Sequence, residues 1–146
     1  MVGPRLITGG PPLSLEEARA MSPLALAYVG DAIYEIFVRE RVARTGQPVR
    51  GLHNQAVKWV SAEGQEIVWM HLKPKLLADE EDIARRGRNV KSHAPKHASV
   101  ASYRRSTALE AVLGYLYLTG QTERLAELLH PALEAAAAAV EGASAE

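Results

Sequence analysis

The chain has 146 residues, of which 47% are hydrophobic and 23% are charged, a composition typical of one globular domain with a core. Its 17 Lys and Arg residues balance 17 Asp and Glu residues, so any case for a nucleic-acid partner depends on where the charges lie. The absence of cysteine excludes disulfides, thiolate catalysis and cysteine-ligated zinc. Without a signal-type start or an apolar run of about 20 residues, we expect a cytoplasmic protein that makes no use of a membrane.

The first elements are predicted from their caps and breakers. Residues 1–13 are rich in Gly and Pro and are expected to form a flexible leader. Ser14 and Glu17 have the spacing of a capping box, which predicts a short helix over about 15–20. A second helix is predicted over 24–44, where apolar residues recur at helical spacing until a Gly and a Pro end it.

The rest of the chain also has the apolar period of helices. We predict helices over about 52–72, 79–84 and 100–119, with a loop over 87–99. A last helix begins near Gln121, is interrupted at Pro131 and leads into an alanine-rich tail, 136–146, that frays. No stretch alternates as a strand does, so the fold class is all-α, with one folded domain over 14–135.

Asp31 lies on the second predicted helix among mostly apolar neighbours. The residues three, four and seven positions away share its face, and they are Leu24, Ala27, Tyr28, Tyr34, Glu35 and Val38. A carboxylate in such a setting is costly to desolvate unless it meets a cation or hydrogen-bond donors. A partly exposed Asp beside two tyrosines is the alternative. Gly30 and Ala32 permit close approach of another helix or a ligand, and a plain helix crossing explains them equally well.

Glu110 lies on the helix predicted over 100–119. Its face has a small, polar centre that includes Ser106, Thr107 and Gly114. The opposite face, with Leu109 and Val112, can pack in the core, so Glu110 is expected to point into a cleft. Two carboxylates from distant helices are what a hard, oxygen-seeking ion such as Mg²⁺ requires. Spacing alone does not bring them together, and an unrelated surface glutamate is the alternative.

A basic segment lies between Asp82 and Glu110, where the chain has no acidic residue. Its basic side chains are Arg85, Arg86, Arg88, Lys91, Lys96, Arg104 and Arg105, with His93 and His97 among them. Clustered Arg and Lys on a predicted loop suit a phosphate backbone, and a solvated loop without a partner is the alternative. The two histidines have a metal-like spacing, but Pro95 between them and the lack of a nearby acidic ligand argue against a metal site.

Other conspicuous side chains are interpreted as structural. Glu35 follows Asp31 by four residues, but Arg39 follows Glu35 by four, which favours an ordinary surface ion pair over a second metal ligand. Trp59 and Trp69 lie in a predicted helix and are expected in the core or an interface. The chain contains no Walker loop, dinucleotide fingerprint, nucleophile elbow or His-Glu-x-x-His motif.

The run LALAYVGDAIYE at 24–35 resembles the signature helix of the ribonuclease III family, in particular its Mini-ribonuclease III branch. Three further stretches agree in order and spacing, namely 52–62, RGRNVKS at 86–92 and 103–114 with STALEAVLG at its end. Together these stretches cover about 22–130. The resemblance implies a single ribonuclease III-type helical endonuclease domain.

The resemblance further implies a metal-dependent homodimer that cuts double-stranded RNA. Asp31 and Glu110 would hold Mg²⁺, with Mn²⁺ as a substitute, and hydrolysis would leave 5′-phosphate and 3′-hydroxyl ends. The larger enzymes carry acids where this chain has Leu24, Ala27 and Thr107, a sparser pattern that the Mini branch shares. The biology carried over is maturation of precursor large-subunit ribosomal RNA, in which a ribosomal protein could serve as a helper.

The full-length enzymes also carry a separate double-stranded-RNA-binding domain, but only 36 alanine-rich residues follow Glu110 here, so no such domain is expected. The RNA contacts then fall to the basic segment, including Asn89. Two other classes of protein are the alternatives. A non-catalytic RNA-binding or ribosome-assembly module leaves Asp31 and Glu110 without a task, and a purely structural helical domain leaves the charge segregation unexplained.

Overall fold

The computed structural model describes residues 5–90 and 99–142, and the regular structure within these ranges is entirely helical. The helices are α1 (Leu15–Ala20), α2 (Pro23–Ala43), α3 (Val49–Val60), α4 (Ala62–Leu72), α5 (Ala78–Arg88), α6 (Val100–Leu118) and α7 (Thr122–Gly142), with a 3₁₀ turn at Lys73–Lys75. The predicted all-α class is confirmed. In the described ranges, no helix combines the length and the apolar character that a bilayer span demands.

The predicted capping box begins α1. The Ser14 hydroxyl accepts from the Glu17 amide at 3.0 Å, and the Glu17 carboxylate accepts from the Ser14 amide at 2.9 Å. The segment before it also has a defined contact, since the Leu13 amide donates to the Leu118 carbonyl at 2.7 Å. The end of the predicted leader is therefore attached to the last turn of α6.

The helix predicted over 52–72 is two helices, because the chain turns sharply at Ser61. Ser61 is extended, with φ −62° and ψ 160°, and its hydroxyl accepts from the Gly64 amide at 3.1 Å to cap α4. The turn requires glycine at 64, since a Cβ there would lie 2.0 Å from the Lys58 carbonyl oxygen. Apolar spacing alone runs through this break, which is why the sequence predicts a single helix.

Helix α5 is longer than predicted and ends at Arg88. It has three acidic residues in its first turn and three arginines in its last, an arrangement that the helix dipole favours at both ends. Arg85, Arg86 and Arg88 therefore lie on a helix, where the sequence predicted the approach to a loop. The centre of that predicted loop, 91–98, lies outside the described residues.

Helix α7 runs without interruption through Pro131 to Gly142, whereas the sequence predicted a break at Pro131 and fraying from 136. Pro131 is exposed, but its helix buries an apolar stripe that continues through Ala136 and Val140. Tertiary packing of this stripe outweighs the one helical hydrogen bond that the proline cannot make.

Helices α2 and α6 cross at the centre of the molecule with their backbones in contact. A Cβ added at Gly30 would lie 1.7 Å from the Glu110 carbonyl oxygen, and one added at Gly114 would lie 1.9 Å from the Leu26 carbonyl oxygen. Most of α6 from Ser106 to Leu116 is buried, with α4, α5 and α7 packed around it. The predicted core residues Trp59 and Trp69 are buried, as the sequence indicated.

We expect Gly30→Ala to destabilise the fold, because a methyl group at this position has no space unless the two helices separate. Overpacking of a core costs about 1–3 kcal/mol or more, and each kcal/mol lowers the Tm of a domain of this size by about 2–4 °C. Gly142→Ala is the matched control, since no neighbouring atom lies within 4 Å of the added methyl group. Equal melting temperatures for the two variants, measured by thermal unfolding, would show that the crossing is not this close.

Candidate functional site

The crossing of α2 and α6 brings Asp31 and Glu110 together. Gly30 rests on the backbone of Glu110, so the next residue along α2 faces the Glu110 side chain. Asp31 is close enough to Glu110 for its side chain to raise the pKa of the Glu110 carboxyl. Asp31 is exposed and Glu110 is only partly so, which means that the pair is reached from solvent on the α2 side. The sequence left open that Glu110 is an unrelated surface glutamate, whereas in the fold it is partly buried and next to Asp31.

The proximity of these carboxylates has an electrostatic cost. Burial and the neighbouring Asp31 raise the pKa of Glu110 to about 8, while a hydrogen bond from Gln65 acts in the opposite direction. Burial and the nearby Glu110 also raise the pKa of Tyr34, whose hydroxyl donates to the Trp59 carbonyl at 2.7 Å. The site therefore favours a proton or a cation between Asp31 and Glu110 over two unscreened negative charges.

The donor set suits a hard divalent cation with an open coordination sphere. No group of three or more His, Cys, Asp or Glu side chains with metal-binding geometry occurs in the described ranges. Mg²⁺ is commonly held by one or two carboxylates, with water and substrate phosphate in the remaining positions. Two facing carboxylates with excess negative charge fit that pattern. Glu35 instead pairs with Arg39 at 3.7 Å, the surface pair that its spacing indicated.

Gln65 is a site residue that the sequence did not single out. It lies in the first turn of α4 and is buried, with its Nε2 3.1 Å from the Val60 carbonyl oxygen and 3.5 Å from Oε2 of Glu110. The helix predicted over 52–72 gave residue 65 no special position. The signal that could have found it is the turn at Ser61 and Gly64, which directs the start of α4 toward α6.

The basic segment is divided by the fold between the end of α5 and the start of α6. Three of its arginines have intramolecular partners, since Arg86 donates to the Arg19 carbonyl, Arg85 pairs with Asp82 and Arg105 pairs with Glu66. Arg88 and Arg104 are exposed and make no ion pair with any residue that the structure describes. Asn89 is the exposed C-cap of α5. Lys91, His93, Lys96 and His97 lie outside the described residues.

The comparisons with known proteins agree with this geometry. The family model described as Ribonuclease III domain matches residues 24–121. The chain belongs to the ribonuclease III family. It is 48% identical over 124 residues to the Mini-ribonuclease 3 of Symbiobacterium thermophilum, covering 84% of this chain and 95% of that one. It is 45% identical over 119 residues to the Mini-ribonuclease 3 of Thermoanaerobacter sp., covering 80% and 84% of the two chains.

The same fold is found in a solved structure. The crystal structure of a protein from Fusobacterium nucleatum matches with a TM-score of 0.73 at 28% sequence identity, covering 82% of this chain and 97% of the other. The resemblance to the Mini branch of the ribonuclease III family is confirmed, and with it the assignment of the chain to an endoribonuclease family. The matched region spans α2 to the end of α6, so it contains both carboxylates.

Two of the three positions at which the resemblance implies acids in the larger enzymes are buried in this chain. Ala27 is buried in the core, and the Thr107 hydroxyl is buried and donates to the Tyr103 carbonyl at 3.0 Å within α6. The third, Leu24, is exposed on α2. Asp31 and Glu110 are thus the carboxylates that the described part of this family member brings together.

Glu110→Gln is expected to stabilise the metal-free protein, and more so at high pH. Because the folded-state pKa of about 8 exceeds the ordinary value of 4.5, the folded protein binds a proton that the unfolded chain releases between these values. Raising the pH through this window therefore destabilises the wild type but not the variant. The difference in Tm, measured in EDTA, should grow from pH 5 to pH 8 and then level off. A difference independent of pH would contradict the close pairing of the carboxylates.

Proposed function

We propose that this protein is a metal-dependent endoribonuclease that hydrolyses phosphodiester bonds of double-stranded RNA and leaves 5′-phosphate and 3′-hydroxyl ends. Asp31 and Glu110 hold Mg²⁺, with Mn²⁺ as a substitute. The observation that carries the proposal is the meeting of these two carboxylates, 79 positions apart along the chain, beside the Gly30 contact with α6. Membership of the ribonuclease III family supports the same reaction.

The chain's own side chains divide the work at this site. When bound, Mg²⁺ supplies an activated water and stabilises charge on the phosphate and the leaving oxygen. Glu110 is partly buried on α6, whereas Asp31 is exposed on α2, where the RNA backbone can approach. Two carboxylates leave several coordination positions to water and phosphate, so the substrate itself completes the site.

We further propose that the active form is a homodimer. Helix α2 presents Tyr28, which is 84% exposed, and Ile36, which is 53% exposed, on the same helix as Asp31. Large apolar side chains in the open favour burial against a partner. Twofold symmetry would present one site to each strand of the duplex with matching geometry. We therefore propose that the dimer interface runs along α2, next to the carboxylates.

Recognition of the duplex is assigned to the basic segment. Arg88 and Arg104 are the best candidates for phosphate contacts, because they are exposed and have no intramolecular ion pair with a described residue. Asn89, Lys91 and Lys96 belong to the same proposal, whereas the RNA role of Arg85, Arg86 and Arg105 requires them to exchange their present partners. Contacts to phosphates and 2′-hydroxyls would read the A-form shape of the duplex.

The biological role proposed is the maturation of precursor large-subunit ribosomal RNA in the cytoplasm, with a ribosomal protein as a helper. It rests on the similarity to Mini-ribonuclease 3 proteins. The alternative, a non-catalytic RNA-binding or ribosome-assembly module, gives no reason for placing Asp31 against Glu110 at an electrostatic cost. Incubating the purified protein with long RNA duplex, with and without Mg²⁺, separates the two, since fragments that require the metal identify the enzyme.

Asp31→Asn and Glu110→Gln are each expected to lower cleavage by orders of magnitude, because each removes a charged ligand of the metal. Circular dichroism and sedimentation mass should match those of a wild-type dimer, and RNA binding should persist. Glu35→Gln is the matched control, since it removes a nearby carboxylate of α2 that pairs with Arg39, and it should retain activity. Activity within a few-fold of wild type in both site variants would reject the assignment.

Arg88→Ala and Arg104→Ala are each expected to weaken RNA binding with little change in the single-turnover rate at saturating RNA, because Arg neutralises phosphate but cannot ligate Mg²⁺. The log–log salt dependence of binding should fall in slope by roughly 0.7–0.9 for each phosphate that is no longer neutralised. Titrations in Ca²⁺ at several salt concentrations measure this. Arg44→Ala, which alters an exposed arginine paired with Glu40 at the end of α2, is the control. An unchanged slope in both variants would show that these residues do not contact RNA.

A further inference from the structure

We propose that Gln65 is a positioning residue that holds the Glu110 carboxylate in the orientation needed to ligate a divalent cation together with Asp31. The inference rests on the proposed function, which identifies Asp31 and Glu110 as the metal site. The role of Gln65 itself is argued from its contacts. Its role is exerted through Glu110, and Gln65 itself does not touch the cation.

The chemistry of its neighbours determines which way the Gln65 amide points. Nε2 lies 3.1 Å from the Val60 carbonyl oxygen and 3.5 Å from Oε2 of Glu110, and both of these atoms can accept a hydrogen bond. The reversed amide would place its oxygen against two acceptors. Only a side chain with two N–H donors serves both at once, which excludes Leu and Glu as equivalents at this position.

The environment of Gln65 argues against a role in stability alone. The residue is 5% exposed, and its Oε1 is buried with no hydrogen-bond partner among the described residues. A buried acceptor without a partner is destabilising, so an apolar side chain of similar volume would avoid that cost. An apolar side chain could supply neither the donor to the Val60 carbonyl nor the donor to Glu110. The contact with Glu110 is the one that reaches the site.

The turn between α3 and α4 positions Gln65 next to Glu110. Ser61 ends α3 and caps α4, and Gly64 lies against the Lys58 carbonyl so that the first turn of α4 can meet α6. The same turn leaves the Val60 carbonyl for Gln65 to bind. A purely local interpretation, in which Gln65 only completes this turn, predicts no link to the metal, and measurements of metal binding distinguish it.

The first test measures Mn²⁺ binding to the RNA-free dimer by electron paramagnetic resonance. Gln65→Leu should weaken binding by about 10- to 100-fold, as expected when a partner of a metal ligand is removed. Gln121→Leu is the matched control, because it removes an amide that donates to Thr119 at the far end of α6, and it should bind Mn²⁺ as the wild type does. In a Glu110→Gln background, Gln65→Leu should cause no further weakening. Equal binding by wild type and Gln65→Leu, or an additive effect in the double variant, overturns the proposal.

A second measurement does not depend on the Gln65 variant folding. The side-chain NH₂ resonances of Gln65 in wild-type protein should shift in Glu110→Gln, and on Mg²⁺ titration they should move with the midpoint of metal binding. Resonances unchanged in both experiments overturn the inference even if Mn²⁺ binds. If Asp31→Asn leaves Mn²⁺ binding intact, the proposed metal site fails instead, and the shift in metal-free Glu110→Gln still decides whether Gln65 positions Glu110.

Discussion

The contact between the backbones of α2 and α6 at Gly30 and Gly114 is the constraint on which the rest of this structure depends. A methyl group at either glycine would overlap a carbonyl oxygen of the other helix, so the observed separation exists only because both positions lack a side chain. Asp31 follows one of these glycines and Glu110 precedes the other by one helical turn. The closeness of the helices therefore determines the closeness of the carboxylates. A wider crossing would move Asp31 away from Glu110 as it moved the two helix backbones apart.

Bringing the two carboxylates together lowers the stability of the folded protein. Burial of Glu110, together with the neighbouring Asp31 carboxylate, raises the pKa of Glu110, so ionising both groups in the folded protein is unfavourable. Stabilising interactions lie elsewhere. Glu80 is 1% exposed and receives a bidentate contact from Arg124, at 2.8 and 2.9 Å, which joins α5 to α7. The Tyr115 hydroxyl donates to Asp79 at 2.8 Å and joins α6 to α5. Such contacts stabilise the fold, while the carboxylate pair favours a proton or a cation between its members.

The basic segment illustrates how far charge patterning can be interpreted without a fold. The absence of acids between Asp82 and Glu110 is a real feature of the sequence, but partners from outside the segment reach into it. Arg105 meets Glu66 of α4, and Arg86 meets a carbonyl of α1. Segregation along the chain therefore does not equal segregation in space. Among the described arginines of the segment, Arg88 and Arg104 are the ones without such a partner.

The helical class, the capping box of α1, the start of α2 and the family could all be predicted from the sequence, because they depend on spacings within a few residues or on short motifs. The same patterns identified Asp31 and Glu110 as the chemical candidates. Their meeting, the turn that divides α3 from α4, the continuity of α7 through Pro131 and the part taken by Gln65 emerge only when the chain is folded. Each of these depends on atoms brought together from distant positions, such as the amide of Gln65 and the carboxylate of Glu110. Local periodicity carries no information about which distant backbone will lie against a given glycine.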